Sequence, residues 1–322
     1  MRAAVVTRHG GPEVLEVRDE PDPQPGPGQL LVDVDVAGVN YRDVYEREHA
    51  GEPPLIAGVE GAGTVAAVGE GVGEVAPGDR VAWTHAPGSY AERVVVDAPR
   101  AVPVPDGVSS ELAAAALLQG MTAHYLATAT YPIREGDTVL VHAAAGGVGL
   151  LLTQIAKLRG GRVIATTSTD EKARLAAEAG ADEVIGYDGF ADRVRELTGG
   201  EGVAAVYDGI ARTTFDSSLD SLRRRGTMVL YGSASGPAEP VDPMRLQSAG
   251  SVHLTRPTLV HYTETREELL ERADAIFGWM GSGELHVRIG GRYPLQEAGR
   301  AQEDLQSRRT TGKLVLIVRG TA

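Results

Sequence analysis

The stretch whose residue types and spacing best suit chemistry is the small-residue run from Ala143 to Gly149. There Ala144-x-Gly146-x-x-Gly149 fits a dinucleotide-binding fingerprint, with alanine where the first glycine usually stands. Such a turn carries no side chain between the backbone and a pyrophosphate, and it aims the anion at unpaired N–H groups opening a helix. A bare glycine pattern is weak evidence, so context decides. Val139 to Val141 read as a strand, Leu151, Leu152, Ile155 and Leu158 as one face of a helix, and Val163 to Ala165 as a second strand. Ala145, Gly146, Gly147, Val148 and Gly149 are therefore expected to line the cofactor.

About 20 residues past such a turn, NAD-specific enzymes carry an Asp or Glu on the ribose hydroxyls. Here that place falls at Thr166, Thr167 and Ser168, with Lys172 one helical turn further. Hydroxyls beside a cation leave room for a 2′-phosphate and predict NADPH. Asp170 and Glu171 are read as the cap and first turn of the next helix.

These elements need a scaffold, and the 322 residues suffice for two domains. A formal net charge of -13 argues against a nucleic-acid or anionic-membrane surface. With no cysteine, disulfides, thiolate-held zinc and thiol catalysis are ruled out. Neither a signal peptide nor a run approaching the ~20 apolar residues of a membrane span is evident, which predicts a soluble cytoplasmic protein.

Residues 1 to about 122 read as β-rich, with runs at Val5-Val6, Leu15 to Val17, Leu30 to Val36, Gly63 to Val68 and Arg80 to Trp83. The proline-rich stretch Pro21 to Gly28 reads as a stiff surface loop. Ser109 is expected to cap a helix to Leu118, and Met121 to Ala129 reads as helical. From Gly136 strand and helix alternate, implying a parallel sheet covered on both faces. Helices are expected at 171–178, 191–197 and 215–222, strands at 183–185, 204–207 and 227–231, and the Arg223-Arg224-Arg225-Gly226 cluster at a helix C-terminus. The tail is expected to hold a helix (266–280), a strand near 287–289, a helix (295–306) and a strand (313–318).

Beyond the glycine turn, Gly10-Gly11-Pro12-Glu13-Val14-Leu15, Gly38-Val39-Asn40-Tyr41-Arg42-Asp43, Gly58-Val59-Glu60-Gly61-Ala62-Gly63, Pro77-Gly78-Asp79-Arg80-Val81, Gln119-Gly120-Met121-Thr122-Ala123, Val206-Tyr207-Asp208 and Thr255-Arg256-Pro257 form a set. With these motifs the chain resembles, nearly end to end, the zeta-crystallin-like quinone oxidoreductases of the zinc-independent medium-chain dehydrogenase/reductase superfamily. The resemblance implies an α/β protein in which a GroES-like β-rich catalytic domain (1–122 and 263–322) is interrupted by a Rossmann NADPH-binding domain (123–262), with the active site in the cleft between them. It implies a homodimer that reduces quinones or α,β-unsaturated carbonyls. It also implies a catalytic set of Asn40, Asp43, Tyr45 and Arg256. To the cofactor side it adds Asn40, Thr122, Tyr187, Asp208, Tyr231, Gly232, Ser233 and Arg308, with Tyr187 and Arg308 on the 2′-phosphate.

At the place where zinc-dependent relatives have Gly-His-Glu this chain has Gly58-Val59-Glu60, so no metal is expected and Glu60 is read as a hydrogen-bonded structural group. Arg42, His49 and Thr84-His85 depart from the family pattern, and the two histidines are read as solvated loop residues that could tune a pocket. Two other functions remain open: an enoyl-thioester reductase acting on coenzyme A or a carrier protein, and a nucleotide-binding protein with a structural or RNA-binding role.

Overall fold

The computed structural model describes residues 1–319. These separate into two compact units: 1–118, 264–281 and 287–319 in the first, and 119–263 with 282–286 in the second. The division falls inside the helix Ser110–Tyr125.

In the first unit the strand Gln29–Val39 is the centre of a seven-stranded sheet. Its apolar residues Leu30, Val32 and Val34 are fully buried and meet Trp83, Val96, Leu314 and Leu316 in one core. One side pairs antiparallel with Gly61–Val68. The other side is shared: Arg93–Asp97 pairs with Gln29 to Asp33, and Lys313–Ile317 with Val36 to Val39. The strand Ile289–Pro294 lies parallel to Lys313–Ile317 at one edge. A smaller sheet joins Leu15–Asp19, Arg2–Val6 and Leu55–Ile56.

The second unit is a six-stranded parallel sheet in the order Glu183–Ile185, Arg162–Thr166, Thr138–Val141, Val203–Asp208, Leu222–Leu230, His253–Thr255. Numbered along the chain this is 3-2-1-4-5-6, the doubly wound order in which ligands bind beyond the carboxyl ends of the first and fourth strands, where the winding reverses. Strand Val203–Asp208 is buried along its whole length, as a sheet covered on both faces requires.

Several expectations are corrected. The cluster Arg223 to Gly226 is not at a helix C-terminus; the helix is Phe215–Asp220, and the arginines open the strand Leu222–Leu230. Val203 pairs with Leu222 and Ala205 with Thr227, so residues 223–226 bulge opposite Ala204 alone, with Arg225 left-handed at φ 61. The strand expected near 287–289 runs instead over Ile289–Pro294. The two helices expected around Gly120 are one helix, Ser110–Tyr125, followed by a wide turn over Leu126–Thr130. Strands Arg93–Asp97 and His253–Thr255 lie outside the expected set.

Candidate active site

The strand Thr138–Val141 delivers the chain into the small-residue turn, and Gly147–Leu158 leaves it as a helix with Gly146 at its N-cap. Ala143 takes a left-handed φ of 49, closing the turn tightly enough for Gly146 N–H to reach its carbonyl at 2.8 Å. A Cβ on Gly149 would lie 2.5 Å from Ala143 O and 2.7 Å from Ala144 Cα, so only glycine lets the helix pack on the turn. One on Gly147 would strike the Gln119 amide. The first intrahelical bond across the turn is Leu150 N–H to Gly146 O. The N–H groups of Gly147, Val148 and Gly149 therefore have no acceptor within the helix, which makes this end attractive to an anion.

At the end of the second strand Thr166 and Thr167 are buried, while Ser168 is exposed. Thr169, not Asp170, caps the next helix, its hydroxyl accepting from Lys172 N–H at 3.3 Å. Lys172 Nζ stands 3.5 Å from Ser168 Oγ. Ala143 N–H donates to the Tyr187 hydroxyl at 3.0 Å, so the turn carries that phenol on its own backbone. Tyr187 also stacks on His142, ring centres 6.0 Å apart.

His142 was missed in the sequence, although it stands directly before the turn. It is fully buried, with Nδ1 2.8 Å from Thr166 Oγ1 and Nε2 2.9 Å from Ser218 Oγ. Ser218 donates its one proton to Asp208 Oδ2 at 3.1 Å, so it must accept from His142 Nε2–H. Burial pushes the imidazole pKa down, which keeps the ring neutral. This order, aspartate to serine to histidine, gives the serine proton to the carboxylate and activates no oxygen; it braces the turn. Asp208 also accepts from Ile210 N–H, Ala211 N–H and the Thr214 hydroxyl, at 2.7, 3.0 and 2.7 Å. With no exposed surface and these inward bonds, it supports the site and does not face a ligand, a correction to its expected role.

Further along, the Tyr231 ring covers Gly209, where a Cβ would lie 3.0 Å from it. Gly232 brings two backbones together, its added Cβ 2.6 Å from Gly209 O. Ser233 follows in the same half-buried segment, and Thr122 is buried in the helix Ser110–Tyr125. Arg256, just past the last strand, is exposed.

The remaining site residues belong to the first unit. Asn40 caps the short helix Tyr41–Tyr45, and its N–H donates to Asp43 Oδ2 at 2.8 Å. Tyr90 OH donates to the same oxygen at 2.7 Å. Burial pushes the Asp43 carboxyl up to about 7, against the pull of these two donors and of Lys313. Burial also raises the Tyr90 phenol well above its ordinary value, so it remains a donor. Tyr45 is half-buried, its ring centre 6.2 Å from those of Tyr41 and His49. Arg308 is exposed and left-handed at φ 57, its charge partly countering the rise that burial imposes on Tyr41. His49 is exposed. His85 is not a solvated loop residue: its Nδ1 lies 2.8 Å from Thr84 Oγ1, and burial, aided by Arg42 and Arg100, pushes its pKa down to about 4.

A parallel sheet wound in this order, with its anion-attracting turn, in one chain with a β-rich unit that strands from both ends of the sequence complete, defines a dinucleotide-dependent medium-chain oxidoreductase architecture. The comparisons with known proteins agree. Residues 26–106 match the alcohol dehydrogenase GroES-like domain and residues 147–275 the zinc-binding dehydrogenase family. A quinone oxidoreductase of Pseudomonas aeruginosa is 44% identical, covering 96% of this chain and 97% of its own. A 2-haloacrylate reductase of a Burkholderia species is 39% identical, over 98% of both chains. A mycobacterial protein solved as a complex with NADPH is 53% identical, with a TM-score of 0.97 over 99% of this chain and 100% of its own. The chain belongs to the quinone oxidoreductase family of the medium-chain dehydrogenase/reductase superfamily.

The zinc in one family description does not fit these residues. Val59 occupies the ligand position and there is no cysteine. The Glu60 carboxylate is taken up by Lys313 Nζ at 2.5 Å, Asn40 Nδ2 at 2.9 Å and Leu118 N–H at 2.7 Å. Among the described residues no three His, Cys, Asp or Glu side chains are grouped to hold a metal.

Proposed function

We propose that this protein is an NADPH-dependent reductase of quinones or α,β-unsaturated carbonyls that works without a metal. The observation that carries the reading is the turn at Ala143 to Gly149, with three unaccepted N–H groups at a helix start and, beyond the second strand, hydroxyls and Lys172 where an NAD enzyme would hold a carboxylate. NADPH fits this donor set, and when bound it supplies the hydride. Gly147, Val148 and Gly149 N–H groups hold the pyrophosphate, while Ser168, Lys172 and Tyr187 receive the 2′-phosphate. Thr122, Tyr231, Gly232 and Ser233 bound the rest of the cofactor, and Arg308 adds positive charge. Tyr45, Arg256 and Asn40 orient the substrate carbonyl and donate to its oxygen as negative charge develops there.

The test is NADPH oxidation across ortho-quinones, para-quinones, enones and enoyl thioesters, with product analysis. Turnover confined to thioesters would replace the quinone reading, and no turnover with any class would end it. The proposal extends to a homodimer, as the resemblance implies, and to a cytoplasmic protein without nucleic-acid affinity, in keeping with its net charge of -13. No helix among the described residues is long and apolar enough to cross a membrane. Light scattering behind size exclusion checks the dimer, and filter binding with a salt titration checks for RNA.

Lys172→Ala is expected to lower the NADPH-to-NADH ratio of kcat/KM about tenfold or more while leaving NADH turnover nearly unchanged. Equal losses with both cofactors would remove Lys172 from the phosphate. Tyr45→Phe and Arg256→Ala each remove one donor worth ~1.5–3 kcal/mol when charge-assisted, so kcat/KM should fall about ten- to a hundredfold with little change in melting temperature. Unchanged kcat/KM in both variants would take them out of the site.

A further inference from the structure

Lys313 is 1% exposed and Glu60 wholly buried, a complete ion pair in the interior that the reaction as described leaves without a role. Neither residue comes near Asn40 in sequence. Lys313 opens the strand Lys313–Ile317, and Glu60 precedes the strand Gly61–Val68. Both strands flank Gln29–Val39, whose end runs into Asn40. The pair crosses directly over Gly38. A Cβ there would strike the Glu60 carboxylate and come 2.9 Å from Lys313 Cε, so glycine keeps the passage open.

The Asn40 amide is the third member. An ammonium can only donate, so the Asn40 atom 2.8 Å from Lys313 Nζ must be the carbonyl oxygen. That choice turns the NH2 toward Glu60 Oε2 at 2.9 Å and Gly38 O at 3.3 Å. The carboxylate cannot swing away, because Leu118 N–H holds its other oxygen at 2.7 Å. One Asn40 N–H is thus firmly anchored, while its twin makes only the longer bond to Gly38 O.

We propose that the Glu60–Lys313 pair is a positioning device for Asn40, locking its amide so that it meets the substrate or cofactor side as a donor and never as an acceptor. The inference rests on the functional reading above, in which Asn40 belongs to the site. Lys313 and Glu60 touch no reactant; they act through Asn40. A carbonyl substrate gaining negative charge needs a donor there, and an amide free to flip would offer an oxygen part of the time.

The experiment must separate positioning from stability, because removing one partner leaves a buried lone charge and destabilises any fold. Wild type, Asn40→Ala, Glu60→Gln, Lys313→Met and the double variant Glu60→Gln/Lys313→Met are compared for melting temperature, kcat with a para-quinone, and KM for NADPH. The double variant buries no charge and should melt within a few degrees of wild type. Its kcat is expected to stay at least about tenfold down, with KM for NADPH unchanged and no further loss on adding Asn40→Ala. Recovery of wild-type kcat together with stability would overturn the proposal, as would an unimpaired Asn40→Ala. Should that double variant not fold, Glu60→Gln/Lys313→Leu takes its place, because it too buries no charge and keeps a carbonyl for Leu118 N–H: a folded protein with about a tenfold fall in kcat supports the proposal and wild-type kcat overturns it. A wild-type protein inert toward every quinone and enone would instead defeat the functional reading.

Discussion

Gly149→Ala should weaken NADPH binding by about tenfold or more and destabilise the second unit by about 1–3 kcal/mol, the usual effect of forcing a methyl group into packed surroundings. The atoms in its way are Ala143 O, Ala144 Cα and Ala144 C at 2.5, 2.7 and 2.9 Å, all backbone, so no side chain can rotate aside. The turn itself must open, moving the N–H groups of the helix start away from the pyrophosphate. Gly146→Ala is the control for the stability effect alone, because its Cβ would meet only Ala143 O, at 3.1 Å, while still adding a methyl group on the cofactor side of the turn. Fluorescence titration with NADPH and urea unfolding measure the two effects. A Gly149→Ala protein that binds NADPH like wild type would show that the close packing of helix on turn is not what sets the anion site.

Asp43→Asn is expected to stabilise the protein at pH 8 and to do little at pH 4.5. The folded carboxyl titrates at about 7 and the unfolded one near 3.8. Between those values the folded state binds more protons, so wild-type stability falls as pH rises through that window and the loss is complete above it. A gap of this size corresponds to up to about 4 kcal/mol. Asparagine is neutral throughout, and its Oδ1 can accept from both Tyr90 OH and Asn40 N–H, the bonds that Asp43 Oδ2 accepts now. The other oxygen, Oδ1, has no partner to lose. Urea midpoints at pH 4.5, 6 and 8 check the sign. Parallel curves for the two proteins would mean that Asp43 is ionised across the whole range in the folded state.

The parts of the site that one short segment encodes were legible in the sequence. The turn at Ala144 to Gly149 is announced by its own glycines and by the strand and helix that flank it. The absence of a carboxylate at Thr166 to Ser168 needed only a count along the chain. Partners far apart in sequence were not legible: Lys313 meets Asn40 across 273 positions, and nothing around it marks a lysine that will be buried. Tyr90 reaches Asp43 across 47 positions and was missed for the same reason. Asp208 was recognisable as part of a motif, but only its hydrogen bonds reveal that it faces inward. The arginine triplet misled because a helix end and a strand bulge both tolerate three cations before a glycine; pairing with Val203 and Ala205 decides between them. Ile289–Pro294 extends past the expected 287–289 through two glycines that carry no strand signal, and Gly290 lies so close to Thr311 that the pairing shifts register there.

The interleaving of the first unit bears on how the chain folds as it is made. Residues 119–263, nearly the whole second unit, are continuous, so its sheet can assemble once they have been synthesised. The first unit must wait. The far half of its central strand stays unpaired along one edge until Lys313–Ile317 has been made, and these contacts span more than 270 residues. Closure over so long a loop is slow, and an open strand edge is prone to pairing with other chains. During synthesis the nascent protein therefore holds a finished nucleotide-binding half beside a β-rich half with an exposed edge, and chaperone demand should fall on the second of these. The strand that ends this exposure is the one that carries Lys313, so Asn40 is fixed only when the first sheet is complete.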